Sequence, residues 1–269
     1  MIDNTDPVTG KANNNSFQFA AFDLSAKQFE SLSVFVDGVE VDLSDHPAVA
    51  NNDTASLGEN DPNTAFGPVL SNDDVPNGAY EVSLVSGPSE GILTFNPGTP
   101  GAPDGSFSFD PNGEFESLGA GDTHDVSFTY EVTDTDGDTD QATVTVTITG
   151  INDGAAIGGV ATGDVTEDAD PATLATGGAL TITDADTGED VFVAQAGTAG
   201  SNAYGTFTLD TAGNWTYAAD NTQAAIQSLS AGATLSDSFT AVSSDGSANQ
   251  LVTVTITGIN DGAAIGGVA

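Results

Sequence analysis

The run VTVTITGINDGAAIGGVA occupies Val144 to Ala161 and recurs unchanged from Val252 to Ala269. The offset, from Val144 to Val252, is 108 residues, the size of one β-sandwich domain. Whatever fold one copy adopts, the other shares, so the chain must be built as like modules in series. Two fainter echoes accompany the run. FSFDPNGEF at Phe107–Phe115 resembles FTLDTAGNW at Phe207–Trp215, and Ser127-Phe128-Thr129 resembles Ser238-Phe239-Thr240.

Dividing at the Gly-Ile-Asn-Asp-Gly segments predicts a β-rich segment over 1–47, which is a cap or a partial module. Modules over 48–153 and 154–261 follow, and 262–269 reads as the start of a further repeat. Strand signals dominate. Thr143–Thr149 alternates threonine with branched aliphatics, the period-2 pattern of a half-buried strand. Val34–Val41 reads as a hairpin turning at Asp37-Gly38. Phe107–Phe109 and Glu114-Phe115 flank a turn at Pro111-Asn112-Gly113, and Gly205–Leu209 and Asn214–Tyr217 flank another at Ala212-Gly213. One short helix is predicted around Asn221–Leu229, with Ala224, Ala225, Ile226 and Leu229 covering a side of the sandwich. The fold class is all-β, in tandem Ig-like or cadherin-like sandwiches.

Charge narrows the function. The chain holds 40 acidic residues against two basic ones, a formal net charge of −38. The two are Lys11 and Lys27, so nothing beyond residue 27 can neutralise a carboxylate except a histidine. Nucleic acid and anionic membrane surfaces are excluded as partners by sign. There is no cysteine, hence no disulfide and no thiolate metal site. No basic-then-apolar leader and no membrane-spanning apolar stretch is present.

The carboxylates gather at segment ends. DTDGDTD supplies Asp134, Asp136, Asp138 and Asp140 before a strand, and the module junction supplies Asn152 and Asp153. The second module supplies Glu167, Asp168 and Asp170, then Asp184, Asp186, Glu189 and Asp190 in DADTGED. Alternate residues of an extended loop point the same way, so each D-x-D pair can grip one hard cation. Calcium, which takes six to eight oxygens, suits this donor set. Isolated acids such as Asp110 and Asp210 read as ordinary turn residues. DTDGDTD is no EF-hand loop, because its glycine sits fourth and no glutamate follows at the twelfth place. With His46 and His124 as the only histidines, zinc does not fit. No nucleophile motif, phosphate loop or metalloprotease helix occurs, and the reading is of a non-enzyme.

The stretch Gly163–Asp261 resembles the VCBS repeat of bacterial surface proteins, through VTEDAD, GALTITDADTGE, YGTFTLDTAGNWTY, NTQAAIQSLSAGATLSDSFT and VTVTITGIND. Ala48–Asp153 resembles a related bacterial cadherin-like or Ig-like repeat, through AVANNDTASLGEN, PVLSNDD, GSFSFDPNGEF and FTYEVTDTDGDTDQATVTVTITGIND. The resemblance implies a long RTX-type adhesin of the bacterial cell surface, exported by type I secretion and active in adhesion or biofilm formation. In such proteins a calcium-stiffened extender holds a terminal ligand-binding domain, for example one for a surface glycan, away from the cell. Neighbouring repeats of the same chain are then the main partners. Two other readings stay open: a head-to-tail filament in which GAAIGGVA donates a strand, and a carbohydrate-binding module using Trp215 and Tyr217. The expectation for those two aromatics is core packing.

Overall fold

A computed structural model describes residues 47–76, 78–167 and 172–260, with the backbone of two short strands nearer the N-terminus. The chain divides into two compact units, Met1–His46 and Pro47–Ala269. In the first, β1 (Val34–Val36) pairs antiparallel with β2 (Val39–Val41), Val36 opposite Val39. The other calls on that unit, and His46, lie outside the described residues.

The second unit contains two sandwiches. In the first, one sheet runs β3 (Asp53–Gly58), β9 (Thr139–Thr149), β8 (Thr123–Asp134), β5 (Ala79–Ser86). The facing sheet runs β4 (Thr64–Phe66), β7 (Ala102–Asp110), β6 (Ile92–Thr99). The threonine alternation produces this layering directly: Ala142, Val144, Val146 and Ile148 of β9 are buried while the residues between them stay half-exposed. Phe107, Phe109, Phe115, Phe128 and Tyr130 fill the space between the sheets.

The second sandwich repeats the plan. Its smaller sheet is β11 (Thr162–Thr166), β17 (Asn249–Thr257), β16 (Thr234–Val242). Its larger sheet is β10 (Ala156–Gly159), β12 (Thr173–Thr183), β15 (Asn214–Asp220), β14 (Gly205–Leu209), β13 (Gln195–Ala199). In both sandwiches an early strand lies parallel to the strand that leaves: Asp53 of β3 faces Val144, and Thr162 of β11, which follows β10, faces Thr253.

Three expectations change. Glu114-Phe115 is not a strand; β7 pairs instead with β6, and Phe115 leaves the turn to bury its ring in the core. The echo between Phe107–Phe115 and Phe207–Trp215 is therefore one strand out of register. The matching hairpins are β6–β7 and β14–β15, which put Phe107 opposite Phe66 and Trp215 opposite Gly178. The helix shrinks to α1 (Ala224–Gln227), where Ile226 is buried while Ala224 and Ala225 face solvent.

Trp215 and Tyr217 are core residues, 1% and 0% exposed. The indole N–H donates to the Val160 carbonyl at 2.7 Å. The ring lies between two glycines: a Cβ on Gly163 or Gly178 would come within 2.9 Å of it. Asp237 is also fully buried, and it accepts from the amides of Asn202, Tyr204 and Gly205 and from the Tyr217 hydroxyl. A buried carboxylate so well supplied with donors is a structural staple for the 200–205 turn.

Candidate metal centre

Between the end of β9 at Thr149 and the start of β10 at Ala156, the linker is tied to both sandwiches. The Ile151 amide donates to Oε1 of Glu59 at 2.8 Å, just beyond β3 in the first sandwich. The Asp153 amide donates to Oδ2 of Asp186 at 2.8 Å, and Asn152 Nδ2 to Oδ2 of Asp245 at 3.2 Å, both in the second. The Ala155 amide donates to Oγ of Ser247 at 2.8 Å. A direct bond joins the two sandwiches as well, from the Thr187 amide to the Ser117 carbonyl at 3.1 Å.

These bonds satisfy one oxygen each of Glu59, Asp186 and Asp245, and the Asp186 amide donates to Oδ1 of Asp184 at 3.0 Å. Glu59 Oε2, Asp153 Oδ2, Asp184 Oδ2, Asp186 Oδ1, Glu189 Oε2 and Asp245 Oδ1 are all buried with no hydrogen-bond partner. Glu59 and Asp186 are each 2% exposed. Oxygens of Asp184, Glu189 and Asp245 converge within 4.8 Å of one another. Burying an unpaired carboxylate oxygen is costly, and clustering several multiplies the repulsion.

The electrostatics record that cost. Burial pushes Glu59 above the usual carboxylate range; the Ile151 amide opposes this, and Asp153, Glu116 and Asp186 add to it. Burial likewise raises Glu189, reinforced by Asp186, Asp245, Asp184 and Asp122. Asp245 goes the other way, because hydrogen bonds from Ser243 and Ser247 hold it well below that range. No Lys or Arg lies beyond residue 27, so neither sandwich carries a lysine or arginine to neutralise these acids. The donors are all oxygen, from carboxylates with carbonyls nearby, which fits a hard divalent cation and not zinc or copper.

The family model for the bacterial cadherin-like domain matches residues 44–150 and 152–258. The chain belongs to this family. The two cadherin-like matches meet at Ile151, the residue whose amide caps Glu59. Among solved structures the chain is similar to protocadherin gammaB7 EC3-6, described as a cis-dimer structure, at 14% identity, 77% of this chain, 46% of that one and a TM-score of 0.49. It is similar to the protocadherin GammaB4 extracellular domain at 18% identity, 81% and 33% coverage and a TM-score of 0.47. Human CDH23 EC21-23 follows at 15% identity, 80% and 69% coverage and a TM-score of 0.42. The chain spans less than half the length of the two protocadherin chains. No curated protein matches it.

The cadherin-like joint gathers Asn152, Asp153, Asp184, Asp186 and Glu189 from the expected ligands. Asp190 is exposed beside them in sequence, and none of its oxygens is among the buried, unpartnered ones. The remainder sit elsewhere. DTDGDTD forms the β8–β9 turn, and the eleven residues of β9 separate it from the joint by about 36 Å. There Asp134 is 1% exposed; its Oδ1 accepts from the amides of Asp136, Gly137 and Asp138, and its Oδ2 has no partner. Hydrogen bonding, with Asp136 foremost, holds Asp134 below the carboxylate range. Oxygens of Asp134, Asp136 and Asp138 also lie within 4.8 Å of one another, while Asp140 accepts from the Ala50 amide at 2.9 Å.

Glu167 lies at the far end of the second sandwich. Its Oε1 accepts from the Ile259 amide at 2.9 Å and its Oε2 is buried without a partner, repeating the Glu59–Ile151 pair 108 residues on. Asp168 and Asp170 lie outside the described residues. Three joint residues escaped the reading of the sequence: Glu59, Glu116 and Asp245. Subtracting the repeat offset from Glu167 arrives at Glu59. Asp245 stands in a sparse SSDGS turn that occupies the place DTDGDTD holds in the first sandwich.

Proposed function

We propose that this chain is a calcium-stabilised extender from a bacterial cell-surface adhesin, in which divalent cations lock each sandwich to the next. Glu59, Asp153, Asp184, Asp186, Glu189 and Asp245 would hold calcium at the joint. The carrying observation is that oxygens of Asp184, Glu189 and Asp245 converge, while Glu59 of the first sandwich and Asp153 of the linker, each with a buried, unpartnered oxygen, interact electrostatically across the same joint. Leaving those oxygens unpaired in the absence of a cation would be costly. Calcium is preferred to magnesium because six or more protein oxygens on loops suit its larger, more flexible shell. Adhesion and biofilm formation follow from the resemblance to type I-secreted surface proteins, with the ligand bound by another domain.

Small-angle scattering and thermal melting, in millimolar calcium and then in excess chelator, test this. A stiff elongated particle in calcium should loosen and melt lower in chelator. Equal profiles in both buffers would reduce the joint carboxylates to solvated turns.

A further inference from the structure

The turn that joins β8 to β9 differs in one chemical respect from its counterpart between β16 and β17. Each is closed at its base by the amide of a buried residue: Asp134 donates to the Asp138 carbonyl at 3.0 Å, and Ser243 to the Ala248 carbonyl at 3.0 Å. Beyond that base, Asp136 and Asp138 flank Gly137 as Asp245 and Ser247 flank Gly246. In the second sandwich the single acid, Asp245, receives hydrogen bonds from the side chains of Ser243 and Ser247. In the first, aspartates take the places of both serines. Three carboxylates therefore stand where the second sandwich has one carboxylate and two hydroxyl donors.

The backbone answers only part of that charge. Oδ1 of Asp134 accepts from the amides of Asp136, Gly137 and Asp138 at 3.2, 2.9 and 2.8 Å, while Oδ2 is buried with no hydrogen-bond partner. Oxygens of Asp134, Asp136 and Asp138 converge within 4.8 Å of one another, a spread that one calcium ion spans with oxygens at about 2.4 Å on either side. The foremost side-chain neighbour of Asp134 is the Asp136 carboxylate, and two carboxylates at that range need a proton or a cation between them. Asp136 is exposed, so the cluster is reached from solvent on that side.

We propose that the β8–β9 turn is a calcium site complete within the first sandwich, with Asp134, Asp136 and Asp138 as its ligands and water in the remaining places. It lies at the opposite end of β9 from the joint and requires no neighbouring sandwich, so it stands or falls apart from the joint reading.

The test is calcium titration of the ¹⁵N-labelled 269-residue protein, stripped of metal and held at fixed ionic strength, read by amide shifts. Saturable shifts at Asp136, Gly137 and Asp138 are expected. Asp136→Asn should weaken them about tenfold or more, as ligand charge is lost. The double variant Asp134→Ser with Asp138→Ser, which copies the serines of the second sandwich, should abolish them, with melting temperature showing that it folds. Should the double variant fail to fold, Asp136→Asn, at an exposed position, decides. Ile151 and Asp153 report the joint in the same spectra, so loss of response at one site is distinguished from loss at the other. Shifts at the turn that never saturate, or that keep their affinity in Asp136→Asn, would overturn the proposal. So would turn shifts that vanish in Glu59→Gln, because the turn would then depend on the joint.

Discussion

The amide of Asp153 donates to Oδ2 of Asp186 at 2.8 Å, while Oδ2 of Asp153 and Oδ1 of Asp186 are both buried and face no donor. One half of the Asp186 carboxylate therefore fixes the linker to the second sandwich, and its other half, with an oxygen of Asp153, is held ready for positive charge. The same division recurs at Glu59, so the joint has opposite stability with and without a cation.

Glu59→Gln should show that reversal most cleanly. The amide oxygen still accepts from Ile151, but one buried negative charge is gone. In chelator the variant should melt above the wild type, because repulsion from Asp153, Glu116 and Asp186 is relieved. In calcium it should melt below, with affinity down roughly tenfold or more as ligand charge is lost. Melting curves in both buffers check this; a shift of one sign in both would count against metal binding at Glu59.

The pH dependence follows from the direction of each shift. Glu59 and Glu189 are raised above 4.5, and Asp53 goes from 3.8 to about 6. Groups protonated more readily when folded stabilise the fold at low pH, and that contribution is lost as pH rises through the folded value. Asp245 is lowered from 3.8, so its contribution is present above 3.8 and lost as pH falls. In chelator, melting temperature should therefore decline from about pH 4.5 towards neutrality. Calcium should flatten the slope. A chelated protein equally stable across that window would contradict the burial assigned to these carboxyls.

Asp237→Ala removes the acceptor shared by three amides of the 200–205 turn and the Tyr217 hydroxyl. Stranding those donors should cost about 3 kcal/mol or more. Trp215 is the sole tryptophan, so its fluorescence in urea reports the second sandwich alone. A cost below about 1 kcal/mol would mean that water replaces the carboxylate at the turn.

Gly163→Ala places a methyl within 2.9 Å of the Trp215 ring. Overpacking of this kind typically costs about 1–3 kcal/mol. The same fluorescence measurement should register it, with the first sandwich unaffected.

The sandwiches were readable in the residues because strand alternation is a local signal: Val144, Val146 and Ile148 declare their face without help from distant residues. DADTGED and Asn152-Asp153 were readable because their acids are adjacent in the chain. Glu59 and Asp245 were not, since each is a lone acid whose role arises only when linker and loops meet in space. The equally dense DTDGDTD lies at the other end of β9 from the joint, because strand length and not acid density decides which loops meet. The misplaced hairpin echo has a similar origin: Phe107 and Phe207 share a tripeptide pattern, but pairing with β4 and β12 decides which strand is which.

The parallel placement of β3 beside β9, and of β11 beside β17, has a consequence for a molecule under tension. A pull on the two ends of a sandwich drags neighbouring strands past each other in opposite directions. The hydrogen bonds between them then share the load in shear and do not open singly like a zip. Tension leaving β9 passes into Ile151 and Asp153, whose amides are anchored on Glu59 and Asp186. Force would thus be borne in series by two ladders and the carboxylates that join them.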